Sequence, residues 1–389
     1  MKISSTATVG LTLALLGGLG IAAESQAAGT IKIDDDRSVS IGGGLRAGYS
    51  RTEDGAPSGD DSNSFALQSA RLYLSGSAAK NIKFTLNTEC KGCVFGEQDG
   101  AGSGGDIDVL DAIAQFELSP QFNIWVGRML TPADRIEMNG PYYGLSWNQY
   151  TVPLLPSDQT GQAGLLGRDD GVTVWGATGK FQYAFGLFDG VDGGPNVDDS
   201  MLFSTRLAYN FLTMESNPGY YTSSTYFGTA GDIFTLGLTY QTQSDAVGTA
   251  TAASDFSATI LDMLYENALS GGAAFTVEAE YKMFDAAVAP VAAASPACFC
   301  LFDGDAYFVT VAYLIGSSGT VKWQPYVRYT SNEPDGTVPD SDLTELGVNM
   351  ILKGHNARMN LSWTSGDANL SGAPGTDRDS LSFGVQIQI

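Results

Sequence analysis

From Ser38 to the last residue, apolar and polar positions alternate in runs of about ten, broken by turn residues. Leu110–Leu118 is representative. Leu110, Ala112, Ala114, Phe116 and Leu118 fall on one face, with Asp111, Gln115 and Glu117 on the other. A period of two predicts strands whose faces meet different surroundings. In the first half the pattern predicts strands at Ser38–Ser50, Phe65–Ser77, Ile82–Glu89, Leu110–Leu118, Phe122–Arg128, Gly171–Thr178, Phe181–Phe188 and Met201–Phe211. In the second half it predicts Asp232–Gln243, Phe256–Leu269, Ala273–Phe284, Asp305–Ile315, Val321–Tyr329, Leu343–Leu352, Arg358–Ser365 and Asp379–Ile389. That makes about sixteen strands, an even number, as in closed bacterial barrels.

The connections sort by side. Ala78–Asn81, Ser119–Gln121, Ser317–Thr320 and Gly354–Asn356 are short, and those on the other side are long and acidic. Leu212–Gly231 is the exception, a long connection on the short-turn side. Short turns at one rim and long loops at the other are the pattern of an outer-membrane barrel, periplasmic and extracellular respectively. Tyr49, Trp125, Tyr240, Tyr329 and Trp363 near strand ends suit interfacial girdles. The last strand stays apolar at alternate positions to Ile389, so the terminus reads as a pairing edge. The expected fold is all-β, a transmembrane antiparallel barrel. A soluble β-sandwich would need a partner sheet for the apolar face, and the steady hairpin order and loop asymmetry favour the barrel.

Leu130–Asp170 is the longest stretch with neither period. It holds Pro132, Pro141, Pro153 and Pro156, several aromatic residues, and the charges Asp134, Arg135 and Glu137. The strand order makes it the third long loop. Non-strand backbone at membrane depth is tolerated only inside the protein or lining water. With Leu154, Leu155, Leu165 and Leu166 to pack on the wall, the loop is expected to enter the lumen, placing Asp134, Arg135 and Glu137 at a constriction. The alternative is an outward lid or a subunit contact. If the apolar faces meet lipid, opposite parity turns Arg71, Lys83, Asp111, Glu117, Arg206, Glu278, Glu280, Lys282, Lys322, Arg328 and Glu345 inward. Such a mixed lining either sets a transverse field or braces the wall through cross-strand pairs.

The ends and composition add an address. Lys2, the apolar run Val9–Ile21 and Ser25-Gln26-Ala27 read as a secretory signal peptide over residues 1–27. The apolar run is shorter than the roughly 20 residues a spanning helix needs. Residues 28–389 remain as a single barrel domain. A net charge of -23 excludes a nucleic-acid partner, which requires a basic footprint. The acidic loops are either solvated charge, or sites of divalent-cation bridging at a lipopolysaccharide surface or of a cation bias in a pore mouth. Cys90, Cys93, Cys298 and Cys300 are disulfide candidates in an exported chain, with the pairing open between a local Cys90–Cys93 bond and a loop–loop bond. Neither a redox CxxC nor a zinc site fits, for lack of βαβ context and of histidines beyond His355.

Catalytic signatures are missing from the sequence. There is no G-x-S-x-G elbow, and one histidine in a tight turn makes a Ser-His-Asp triad a poor fit. The pairs Asp111/Glu117 and Glu278/Glu280 could serve glycoside hydrolysis, but same-face carboxylates in a polar lumen are the commoner explanation. No phosphate loop or metal cluster is seen, so no cofactor is expected.

Several motifs add a resemblance. They are Gln68-Ser69-Ala70-Arg71-Leu72-Tyr73-Leu74-Ser75-Gly76, Ile82-Lys83-Phe84-Thr85-Leu86, Leu110–Leu118 leading to Val126-Gly127-Arg128-Met129-Leu130-Thr131-Pro132, and Gly219-Tyr220-Tyr221. With these the chain, from about Ser38 to Ile389, resembles the phosphate-selective porin O and P family of outer-membrane porins. The resemblance implies a sixteen-stranded, trimeric porin with an inward third loop. The anion-selective members use arginine rows and a lysine cluster; here basic residues are scarce, and phosphate selectivity is not carried over. The expected function is passive diffusion of ions and small polar solutes across a Gram-negative outer membrane, with lipid and lipopolysaccharide around the barrel. The alternatives are a barrel sheathing a partner such as an electron-transfer cytochrome, or a secreted β-rich binding protein.

Overall fold

The computed structural model describes residues 29–91, 106–155, 167–216, 218–286, 303–316, 319–370 and 372–389. The expected signal segment and Cys93, Cys298 and Cys300 lie outside them. Cys90, in strand β4 (Ile82–Lys91), is disulfide-bonded.

Sixteen strands form a closed antiparallel barrel. They run in chain order from β2 (Ser38–Thr52) and β3 (Ser62–Ala79) through β4 to β17 (Arg378–Gln388), and β17 pairs with β2 to close the ring. The ring of β2 to β17 therefore has no free edge strand, which the hydrocarbon layer demands. A further short strand, β1 (Gly29–Lys32), was not anticipated. It pairs with Ser38–Ile41 of β2, just beyond the point where Ile389 exchanges backbone hydrogen bonds with Gly43. It thus covers the part of β2 that the chain terminus leaves open.

The alternation read from sequence sets the two faces. Leu72, Leu86, Phe116, Leu261, Leu361 and Leu381 are exposed on the outer face. Such a continuous apolar surface suits lipid and is foreign to a soluble domain. The intervening residues point inward.

One expectation about a loop is revised. β10 (Ile233–Thr249) and β11 (Ala252–Ala268) run past Gln243 and Phe256 to a tight turn, through a register shift between Gln243 and Val247. The expected long loop there is instead a protruding hairpin. The long connection between β9 (Leu202–Asn210) and β10 starts at the short-turn rim, as expected, and folds from there into the barrel, where Glu215, Tyr220, Ser224, Thr225 and Phe227 are buried.

Candidate functional site

Two chain segments enter the barrel from opposite rims. The first follows β6 (Phe122–Leu130) and precedes β7 (Arg168–Thr178). It carries the helix α1 (Arg135–Tyr143). Asp134 caps it, its side chain accepting from the Glu137 N–H at 3.1 Å. Glu280 of β12 (Ala274–Asp285) accepts from the free Ile136 N–H at 2.8 Å, where the helix end favours negative charge. The helix is broken at Gly140, whose φ is +59°, before Pro141 starts its last turn.

The wall is shaped to receive this segment. A Cβ on Gly384 of β17 would lie 2.2 Å from the Trp147 ring, and one on Gly44 of β2 would lie 2.8 Å from Tyr142. Around these notches, Arg46 donates to the Trp147 carbonyl at 2.9 Å and lies 4.1 Å from the indole centroid. Asn349 donates to the Leu145 carbonyl and Arg358 to that of Gly144. Arg328 bonds Ser146, the Gln149 carbonyl and Thr151, and packs over Phe308.

The second segment, residues 212–229, closes on α1 from the other side. The Thr222 and Ser224 N–H groups donate to the Met138 and Tyr143 carbonyls at 3.4 and 3.1 Å. Glu266 of β11 holds it, accepting from Thr225 Oγ1 and the Gly228 N–H. Gly219, with φ of +68°, lies so close to the Trp125 ring that any side chain would collide with it. His355, in the turn between β15 (Ser341–Lys353) and β16 (Ala357–Gly366), donates to the Thr225 carbonyl at 2.9 Å. Burial, reinforced by the charge of Arg358, pushes the imidazole down to about 3 and keeps it neutral.

One ionic node ties everything together. Arg135 is buried completely and grips Glu215 with two nitrogens, at 2.9 and 2.8 Å. It also donates to the Ser223 carbonyl at 2.8 Å and to Asp262 of β11 at 3.3 Å. Asp262 in turn pairs with Arg206. Burial alone would raise the Glu215 carboxyl; Arg135 beside it holds it below its ordinary range.

The expected site residues thus fall into two groups. Asp134, Arg135 and Glu137 do enter the lumen but do not face water there, which corrects the constriction expected of them. They are buried, and Lys282 lies between Asp134 and Glu137 at 2.6 and 3.4 Å. Arg206, Glu278, Glu280, Lys282, Arg328 and Glu345 point inward but are buried beneath the two segments, so they too do not line open space. Glu278 accepts from Ser224, and Glu345 from Tyr326. The physical reason is desolvation: charges covered by a folded-in loop must find counter-charges or donors. Lys322 sits at the short-turn rim, 3.3 Å from the Gly272 carbonyl, outside the passage.

Arg71, Lys83, Asp111 and Glu117 form the second group, on the wall that the loops leave uncovered. A cavity of about 480 Å3 runs there, from Leu130 and Arg168 at the long-loop ends of β6 and β7 to Gly354, His355 and Asn356 at the opposite rim. A second, of about 240 Å3, shares Asn87, Pro218 and Tyr221 with it. Arg71 pairs with Glu89, Arg168 with Asp111 at 3.2 Å, and Lys83 with Glu117 at 2.6 Å. The sequence reading missed Arg46, Glu89, Glu215, Asp262, Glu266 and Arg358 as lumen groups. For Asp262 and Glu266 the signal was weak, because their inward neighbours Ile260 and Leu264 are apolar too.

Sequence comparison matches residues 39–389 to the family described as phosphate-selective porin O and P. The chain belongs to that family. A comparison with curated protein sequences found no match. Among solved structures, OmpF of Salmonella typhi in complex with daunomycin is similar at TM-score 0.58 and 10% identity, covering 91% of this chain and 98% of that one. The outer membrane channel DcaP of Acinetobacter baumannii is similar at 0.56 and 10%, covering 92% and 99%. The trimer form of OmpT, an outer membrane protein of Vibrio cholerae, is similar at 0.54 and 15%, covering 91% and 100%. At such identities the likeness is one of fold. With the family match it makes the chain an outer-membrane porin channel.

Proposed function

We propose that this porin passes ions and small polar solutes by passive diffusion through the slot between the two inward segments and the wall formed by β3, β4 and β5 (Asp106–Ser119). The observation that carries this reading is the cavity beside α1, which reaches from the long-loop ends of β6 and β7 to the short-turn rim. Size is set by how far the segments fill the lumen, and charge preference by Arg71, Lys83, Asp111 and Glu117 with their partners. The segments also weigh against a sheath around a partner protein, which needs a wide, empty lumen. The phosphate selectivity in the family's name is left aside. Among described residues lining the two cavities, each lysine and arginine is ion-paired except Lys353 at the mouth.

The chain is exported by cleavage after Ala27 and works as a homotrimer. The sequence of the leader and the trimer form recorded for OmpT support these two statements. Reconstitution in a planar bilayer tests the channel: stepwise conductance is expected, and its absence argues for another role. Light scattering of the detergent-solubilised protein tests the trimer, and a monomer mass would refute it. N-terminal sequencing of the mature protein tests the cleavage point.

A further inference from the structure

The open slot has two unlike sides. On the barrel side, three cross-strand ion pairs pave β3, β4, β5 and β7: Arg71–Glu89, Asp111–Arg168 and Lys83–Glu117. Asn87 stands between the two cavities, donating to Asp111 at 2.8 Å while its Oδ1 has no protein partner. On the loop side, the half-buried rings of Tyr143, Tyr221 and Tyr226 line the larger cavity. Tyr221 continues into the smaller one beside Trp125 and Trp175.

A solute in this slot meets aromatic rings on one side and paired charges and amides on the other. Paired charges offer hydrogen-bond donors and acceptors without a net field, so they reward hydroxyl groups and give little to a lone anion or cation. Aromatic rings reward an apolar C–H surface. A molecule with a C–H face and a hydroxyl rim satisfies both sides. The larger cavity lies in the range of roughly 300–1,000 Å3 that holds a small ligand. We infer that the slot is a binding site for uncharged saccharides of one or two rings, with Tyr143 and Tyr221 as the stacking surface and Arg71, Asn87 and Asp111 as the hydroxyl partners. This rests on the porin reading above and names its solute class.

The test uses full-length refolded protein with maltose as the probe, and a polyethylene glycol of similar mass and inorganic phosphate as comparators. Trp125 and Trp175 border the smaller cavity, so intrinsic fluorescence in detergent reads binding without requiring conduction. A saturable fluorescence change with maltose is expected, along with a saturable fall in single-channel conductance. The glycol should lower conductance only in proportion to bulk conductivity. Tyr143→Leu and Tyr221→Leu keep apolar bulk but remove the ring, and should each weaken maltose binding about tenfold. A saturable fluorescence change without any conductance steps would support the saccharide site and defeat the porin reading. No saturation with maltose, or saturation with phosphate alone, overturns the inference whether or not steps are seen.

Discussion

Replacing Arg135 by Leu removes a charged group of the first inward segment that holds both the second segment and the wall. Its side chain is fully buried and donates to Glu215, Asp262 and the Ser223 carbonyl. After the change, Asp262 still has Arg206. Glu215, itself buried, keeps hydroxyl partners such as Tyr226 but loses its counter-charge in a low-dielectric pocket. Leaving one partner of a buried ion pair alone costs about 3–5 kcal/mol. The barrel need not unfold to relieve that cost, because residues 212–229 can carry Glu215 out to the short-turn rim. At about 1.4 kcal/mol per tenfold, the equilibrium between the docked and withdrawn segment shifts by roughly two to three and a half powers of ten. In a planar bilayer the R135L variant should show larger and noisier open-channel current than wild type. Adding E215Q removes the stranded charge and should return the trace most of the way. Unchanged current in R135L, or no recovery in the double variant, would refute the reasoning.

Other perturbations read other parts of the site. Gly384→Ala puts a methyl group into the Trp147 ring, and overpacking of this kind costs about 1–3 kcal/mol, so the temperature at which the barrel unfolds in SDS should fall. His355 is held neutral, down to about 3, against about 6.5 when unfolded, so its contribution is present above pH 6.5 and is lost as pH falls toward 3. Wild type should therefore lose heat stability as pH falls from 6.5 to 5, His355→Gln should lose less over the same range, and the difference between the two reports His355. Lys83→Met leaves Glu117 unpaired beside the smaller cavity, so the reversal potential in a salt gradient should move toward cation preference. Wild type should be weakly cation-preferring, and strong anion preference would contradict the paired lining.

The barrel was legible because lipid and lumen impose opposite demands on neighbouring residues, as in Leu110–Leu118 or Leu381–Ile389. The pattern faded wherever the lumen is dry. In β11, Ile260 packs with Ala133, Met138 and Leu155 of the third loop and Leu264 is buried too, so both faces are apolar and Asp262 stands out little. The hairpin beyond Gln243 is built from Asp, Ser, Gly, Ala and Thr, residues that read as a loop but here extend two long strands. The inward course of residues 130–155 followed from the length of the loop and from Leu154 and Leu155; Leu165 and Leu166 lie outside the described residues. The loop's partners did not follow, because Arg135 meets Asp262 127 positions away and no local period encodes that meeting. The inward turn of residues 212–231 had one visible sign, the density of Tyr220, Tyr221, Tyr226 and Phe227 in a connection on the short-turn side.

Deleting Tyr142–Gly164 tests most directly whether a loop inside the lumen governs passage. These residues include Trp147 and Thr151, which seat the segment against β2 and β14 (Lys322–Pro334). Recorded side by side in a planar bilayer, wild type should give small discrete conductance steps and the deletion clearly larger ones. Equal steps from the two proteins, or no steps from either, would contradict a channel narrowed by its third loop.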